Sequence, residues 1–206
     1  MKNPLHYQLS EYDCGPTAML DALSFLFERE EISPLIIRNV MLYCLDCCNS
    51  EGVMGKCGTS HAAMMFLSQW LNGFGEVGQL AVSSTYLSGK TVRIGEDSLI
   101  NDALNRGGVV IVRVFFDCDH YVVLTGIQNG KMLMFDPYYV EEPFKDPGVR
   151  IVKDHPFEYN RIVDESCFNR ETSEIYALGP VKNREAVIIF NEKTKKTAED
   201  TIEYFI

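Results

Sequence analysis

Positive charge is in short supply in this chain. Of its 206 residues, 19 are Lys or Arg against 29 Asp or Glu, giving a net charge of −10. A surface that tracks phosphates needs the opposite balance, so nucleic acid is not an expected partner, and docking on anionic lipid is disfavoured for the same reason. Long apolar runs are also missing, and none reaches the roughly 20 residues that a membrane span needs. The N-terminal stretch Met1-Lys-Asn-Pro-Leu-His-Tyr-Gln8 has no apolar core of the kind a secretory signal carries. The expectation is a cytoplasmic protein without membrane insertion. There is no internal repeat and no low-complexity segment. A phosphate loop is absent as well: Gly52-Val-Met-Gly55-Lys56 and Gly126-Ile-Gln-Asn-Gly130-Lys131 lack the glycine spacing and the Ser/Thr after Lys, so ATP use is not indicated.

Cysteine is not scarce. There are seven, an odd number, and they are clustered. In a reducing compartment they are expected to be thiols rather than a disulfide framework. At 46% hydrophobic and 23% charged, the composition is that of a globular protein with a real core. The length suits one domain over residues 1–206.

The first half carries helical signals. In Cys14-Gly-Pro-Thr-Ala-Met-Leu-Asp-Ala-Leu-Ser-Phe-Leu-Phe27, Met19, Leu20, Leu23 and Phe27 recur at helical spacing, and Pro16 suits a first turn. Cys14 therefore falls at or just before a helix N-terminus, where unpaired N–H groups and the dipole favour a thiolate over a thiol. Gln8, a little upstream, can supply an amide donor. Ser33 with Pro34 opens a second helix, to about Cys44. Thr59 or Ser60 caps a third, to about Leu71, with Gly73 and Gly75 beyond it. Cys44, Cys47, Cys57 and His61 are residues of zinc-ligand type, but their spacing matches no finger or ribbon, and buried or inert thiols are the simpler reading. His61 reads as a helix-start histidine.

The second half reads as sheet. Asp97 or Ser98 opens a short helix ending near Arg106, and Gly107-Gly108 stops it. Val109 to Phe116 is a β-branched and aromatic run suited to a buried central strand. His120 to Ile127 and Lys131 to Phe135 flank Asn129-Gly130, a strong hairpin signal. Register decides whether His120 and Asp136 can meet. A two-residue loop sets Asp136 opposite Val123, facing away from His120. A three-residue loop over Gln128 to Gly130 sets it opposite Val122, on the His120 face and within side-chain reach at roughly 7–8 Å between backbones. The three-residue loop is the expectation. Asn183 to Phe190 reads as a further strand. Tyr138, Tyr139 and Phe144 are expected to cover a sheet edge rather than line a cleft. The mixed-sign patch from Asn191 to Asp200 reads as a solvated turn or helix.

A helix-start Cys14, with Gln8 upstream and a hairpin joining His120 to Asp136, meets the requirements of an activated thiol. The imidazole would take the thiol proton, and the carboxylate would hold its tautomer and stabilise its cation. At these residues the chain is similar to a known family. Gln8 to Cys14-Gly-Pro, Gly58-Thr-Ser60 opening a helix, Gly107-Gly-Val-Val-Ile-Val112, His120-Tyr-Val-Val-Leu-Thr-Gly126 and Asp136-Pro137 resemble the double-glycine leader peptidases. These are bacteriocin-processing cysteine peptidases of papain-like fold.

The likeness runs from about Leu5 to Pro137, with residues 138–206 as further strands and a C-terminal extension of the same domain. It implies an α+β papain-like fold, with N-terminal helices packed on a mainly antiparallel β-sheet. It implies Cys14 as nucleophile, His120 as general base and then acid, Asp136 as orienting residue, and Gln8 with the Cys14 N–H as oxyanion hole. A peptide or small protein is the implied substrate, and neither cofactor nor metal is called for. The membrane and ATPase parts of the family's exporters are not in this sequence, so a stand-alone domain is expected. Three other readings stay open: an acyl or amide transferase on the same triad, a catalytically silent peptide-binding module, and a zinc-stabilised module.

Overall fold

The computed structural model describes residues 1–197. Three helices come first: α1 (Cys14–Leu26), α2 (Pro34–Cys44) and α3 (His61–Glu76). After them run β1 (Val82–Ser88), α4 (Leu99–Asn105), β2 (Val109–Phe116), β3 (Cys118–Gln128), β4 (Lys131–Phe135), β5 (Val149–Ile151), β6 (Arg161–Asp164), α5 (Glu165–Phe168) and β7 (Glu185–Asn191). The strands form one seven-stranded sheet in the order β1-β7-β2-β3-β4-β6-β5, with every neighbouring pair antiparallel. The class is α+β, with N-terminal helices packed on an antiparallel sheet, as expected.

The alternation of side chains along the strands explains why the central run is apolar throughout. On one face Val109, Ile111, Tyr121, Val123 and Phe135 pack against Ala18, Met19 and Leu23 of α1 and Met64 and Leu67 of α3. On the other, Val110, Val112, Val122, Leu124 and Met134 pack against Ile100 of α4 and Phe168 of α5. A strand covered on both faces can keep no polar alternation.

Helix boundaries follow their caps. Ser33, Ser60 and Ser98 each accept from a backbone N–H of the first turn, and Pro34 begins α2. Helix α3 runs past the expected stop near Leu71, through Gly73 and Gly75, to Glu76. The reason is a close approach: a Cβ on Gly75 would stand 1.9 Å from the Val82 carbonyl oxygen, so the glycine makes room for β1 rather than ending the helix. The edge strand β1 was not expected from the sequence, while β5 and β6 fall within the further strands expected over residues 138–206, with no position assigned to them there. The charged patch from Asn191 begins at the end of β7 and runs through a turn into irregular chain, and its residues 198–200 lie outside the described residues.

The hairpin of β3 and β4 differs from expectation in its turn and agrees in its outcome. Gln128 pairs with Lys131, so the loop has two residues, Asn129 and Gly130, both with positive φ (52° and 70°). That is the turn matched to strand twist. By itself it would send Asp136 to the wrong face. The register then shifts between Leu124 and Gly126: Gly126 pairs with Leu133, but Leu124 pairs with Met134. Thr125 is the extra residue, a β-bulge. Val123 then stands opposite Phe135, and the next position across from Asp136 is Val122. The bulge supplies the one-residue offset that the longer loop was expected to give.

Candidate active site

Cys14 is the first residue of α1 and is 8% exposed. Asp13, at the N-cap, makes no side-chain cap to the helix. Its carboxylate accepts from the Leu9 and Ser10 N–H groups and from the Ser10 hydroxyl at 2.7–3.0 Å, folding residues 9–13 into the turn that delivers Cys14. Gly15 is required by a close neighbour: a Cβ there would meet Thr59 Oγ1 at 2.2 Å. The segment before α3 is thus seated against the start of α1.

His120 lies near the start of β3 and is 4% exposed; Asp136 follows β4 and is fully buried. His120 Nε2 and Asp136 Oδ1 are 2.7 Å apart. Nδ1 is then the ring nitrogen left for Cys14, whose sulfur is the other polar neighbour acting on the imidazole. Burial pushes the imidazole down, but the Asp136 carboxylate and the Cys14 sulfur outweigh it and raise it to about 10. Burial likewise pushes the Asp136 carboxyl up, and His120, Tyr176 and Arg161 together more than offset this, holding it below the ordinary carboxylate range.

Gln8 is brought beside the pair through its backbone, whose N–H donates to the Pro137 carbonyl at 2.9 Å. One N–H of its side-chain amide donates to the Ser10 carbonyl at 2.7 Å, which leaves the second N–H for a ligand. The amide oxygen is buried without a partner.

Tyr138 and Phe144 do not cover a sheet edge. With Phe116 they gather at the strand ends around His120: Phe116 lies 5.4 Å from the His120 ring and 5.3 Å from Tyr138, between ring centroids. Tyr139 packs edge-on against Tyr7 at 5.0 Å. Phe116 and Tyr138 are the two rings that pack against His120 itself.

Sequence reasoning missed three residues of the site. Asn160 brackets Asp136, accepting its N–H and donating to its carbonyl, each at 2.8 Å. Tyr176 donates its hydroxyl to Asp136 Oδ2 at 2.7 Å. Arg161, 1% exposed, donates to the Asn160 and Tyr138 carbonyls. The one available signal was Arg161 opening an apolar run, since a buried Arg needs partners. No pattern of spacing links Tyr176 to an acid 40 residues earlier.

A second buried carboxylate lies at the start of β7. Glu185 accepts from the Tyr121 and Tyr86 hydroxyls, His61 Nδ1 is 2.9 Å away, and Arg113 Nε is at 3.4 Å. The zinc reading finds no support: among the described residues no group of three or more His, Cys, Asp or Glu is placed to hold a metal. His61 begins α3, as expected, and Cys44 is buried, its thiol pushed up to about 12 chiefly by that burial.

No family model matches the chain, and no curated protein matches it. Among solved structures the chain is similar to the peptidase domain of Streptococcus mutans ComA, at 13% identity and a TM-score of 0.39, covering 91% of this chain and 98% of that one.

Proposed function

We propose that this protein is a cysteine peptidase that cleaves a peptide or small-protein substrate through Cys14, His120 and Asp136. The observation that carries the reading is the line of contacts from a helix-start thiol, through a buried imidazole, to a buried carboxylate. Asp136 on Nε2 leaves Nδ1 to face Cys14. His120 takes the thiol proton, and the sulfur attacks the substrate carbonyl carbon. Negative charge then develops on the carbonyl oxygen, and the Cys14 backbone N–H and the second Gln8 amide N–H are the donors assigned to it. When the C–N bond breaks, the His120 imidazolium gives its proton to the leaving amine, and a thioester remains on Cys14. His120 next deprotonates a water that attacks the thioester and restores the thiol.

Four of the six other cysteines are held back from the role. Burial raises the Cys44, Cys47, Cys118 and Cys167 thiols, so each is held in its unreactive form. The test is alkylation of the intact chain, read for each cysteine by mass spectrometry from acid to neutral pH. Cys14 is expected to react first although it is nearly buried. If exposed Cys48 and Cys57 react before it at every pH, the reading fails.

A further inference from the structure

The Asp136 carboxylate has two oxygens, and the triad needs one. Oδ1 meets His120 and accepts the Tyr138 N–H at 2.8 Å. Oδ2 accepts the Tyr176 hydroxyl at 2.7 Å. Tyr176 is completely buried and holds φ at +59°, a left-handed conformation that aromatic residues rarely adopt. The chain fixes it there: the Tyr176 N–H donates to the Phe115 carbonyl, and the Phe115 N–H donates to the Ala177 carbonyl, both at 2.8 Å. The ring packs between Phe116, at 6.0 Å, and Phe144, at 5.7 Å. Behind it Arg161 lies with its guanidinium 5.6 Å over Phe144. A phenylalanine would fill the same apolar space, so a strained backbone kept around a hydroxyl that meets the acid points to the hydroxyl itself.

We propose that Tyr176 is a positioning residue for the thiol chemistry: backed by Arg161, its hydroxyl holds the Asp136 carboxylate ionised and in one orientation, so that His120 stays aligned on Cys14. This rests on the peptidase reading above. The groups that bear on the acid are His120 from β3, Asn160 and Arg161 from β6, Tyr176 from the segment before β7, and the Tyr138 N–H. Those that bear on His120 are Asp136 and Cys14, with Phe116 against the ring.

The experiment is the pH profile of Cys14 alkylation in the full chain, for wild type, Tyr176→Phe, Tyr86→Phe and His120→Ala. Tyr176→Phe is expected to move the acid limb up by about one pH unit, the size carried by one hydrogen bond to a charged group. Tyr86→Phe removes a tyrosine from the other buried carboxylate, Glu185, and is expected to leave the limb in place. An unmoved limb in Tyr176→Phe, or an equal shift in Tyr86→Phe, overturns the inference. A His120→Ala profile identical to wild type overturns the peptidase reading itself, which separates the two failures. Should Tyr176→Phe not fold, 3-fluorotyrosine at position 176, a stronger donor, is expected to move the limb down, and an unchanged limb overturns the inference.

Discussion

Asp136 and Glu185 are built from the same parts. Each is a buried carboxylate that meets a histidine, accepts from tyrosine hydroxyls and has an arginine nearby. They differ in where the imidazole stands. The His120 side chain is 6% exposed and faces a thiol with its other nitrogen. The His61 side chain is 53% exposed and opens to water. A buried imidazole between an acid and a thiol has one proton donor to serve, whereas an exposed one exchanges with solvent. What separates a candidate catalytic acid from a structural one here is thus the far side of the histidine, not the polar network around the carboxylate.

The largest test of that contrast is Cys14→Ala. It is expected to abolish cleavage of a peptide library, read by mass spectrometry, while the far-UV circular dichroism stays that of wild type, because a small residue at a helix start opens little cavity. Retained cleavage would place the nucleophile elsewhere. Next, Asp136→Asn is expected to slow Cys14 alkylation at neutral pH by about 100-fold, within the range for loss of a positioned acid–base group, whereas Glu185→Gln leaves that rate within about twofold. Similar slowing in both would erase the distinction. Glu185→Gln should instead lower stability by about 1–3 kcal/mol in urea unfolding, because the new amide N–H₂ faces donors.

The pH dependence of stability gives a further contrast. The folded pKa of His120 lies above its unfolded value, so its contribution is fully present below about 6.5 and is lost as pH rises through about 10. Asp136 is depressed, so its contribution is present above its ordinary value of 3.8 and is lost as pH falls below it. Wild type is therefore expected to lose stability across the alkaline window while His120→Ala does not, in melting curves taken at several pH values. Parallel curves would contradict the burial of a charged pair. The smallest effect is expected from His61→Ala, within about 0.5 kcal/mol, since the His61 side chain is half exposed and Glu185 keeps both tyrosine hydroxyls and Arg113.

Local signals made the first half of the chain and the central strands legible. Serine caps, a proline at N1 and a β-branched run each act within a few residues, and the caps and strands fell where they pointed. The meeting of His120 with Asp136 was also legible, but for an incomplete reason. Asn129-Gly130 dictated the turn, and nothing in Leu124-Thr-Gly126 announced the bulge that corrects its register. Tyr176, Asn160 and Arg161 were out of reach because their roles arise from tertiary closure. Strand β6, which Arg161 opens and Asn160 precedes, is four residues long, too short for a periodicity to show, and Tyr176 lies in a turn outside any strand or helix.

The bulge at Thr125 decides where the hairpin can change length. Deleting Thr125 would join the Leu124–Met134 and Gly126–Leu133 pairs into a regular ladder, and one residue added at Asn129-Gly130 would only lengthen a loop closed by Gln128 and Lys131, so in both cases Val122 stays across from Asp136. Adding or removing one residue between His120 and Leu124, or between Met134 and Asp136, would instead turn one of the two site residues to the opposite face. In descendants of this sequence, single insertions and deletions should therefore be tolerated at the bulge and the turn and purged from the short stretches that separate them from His120 and Asp136.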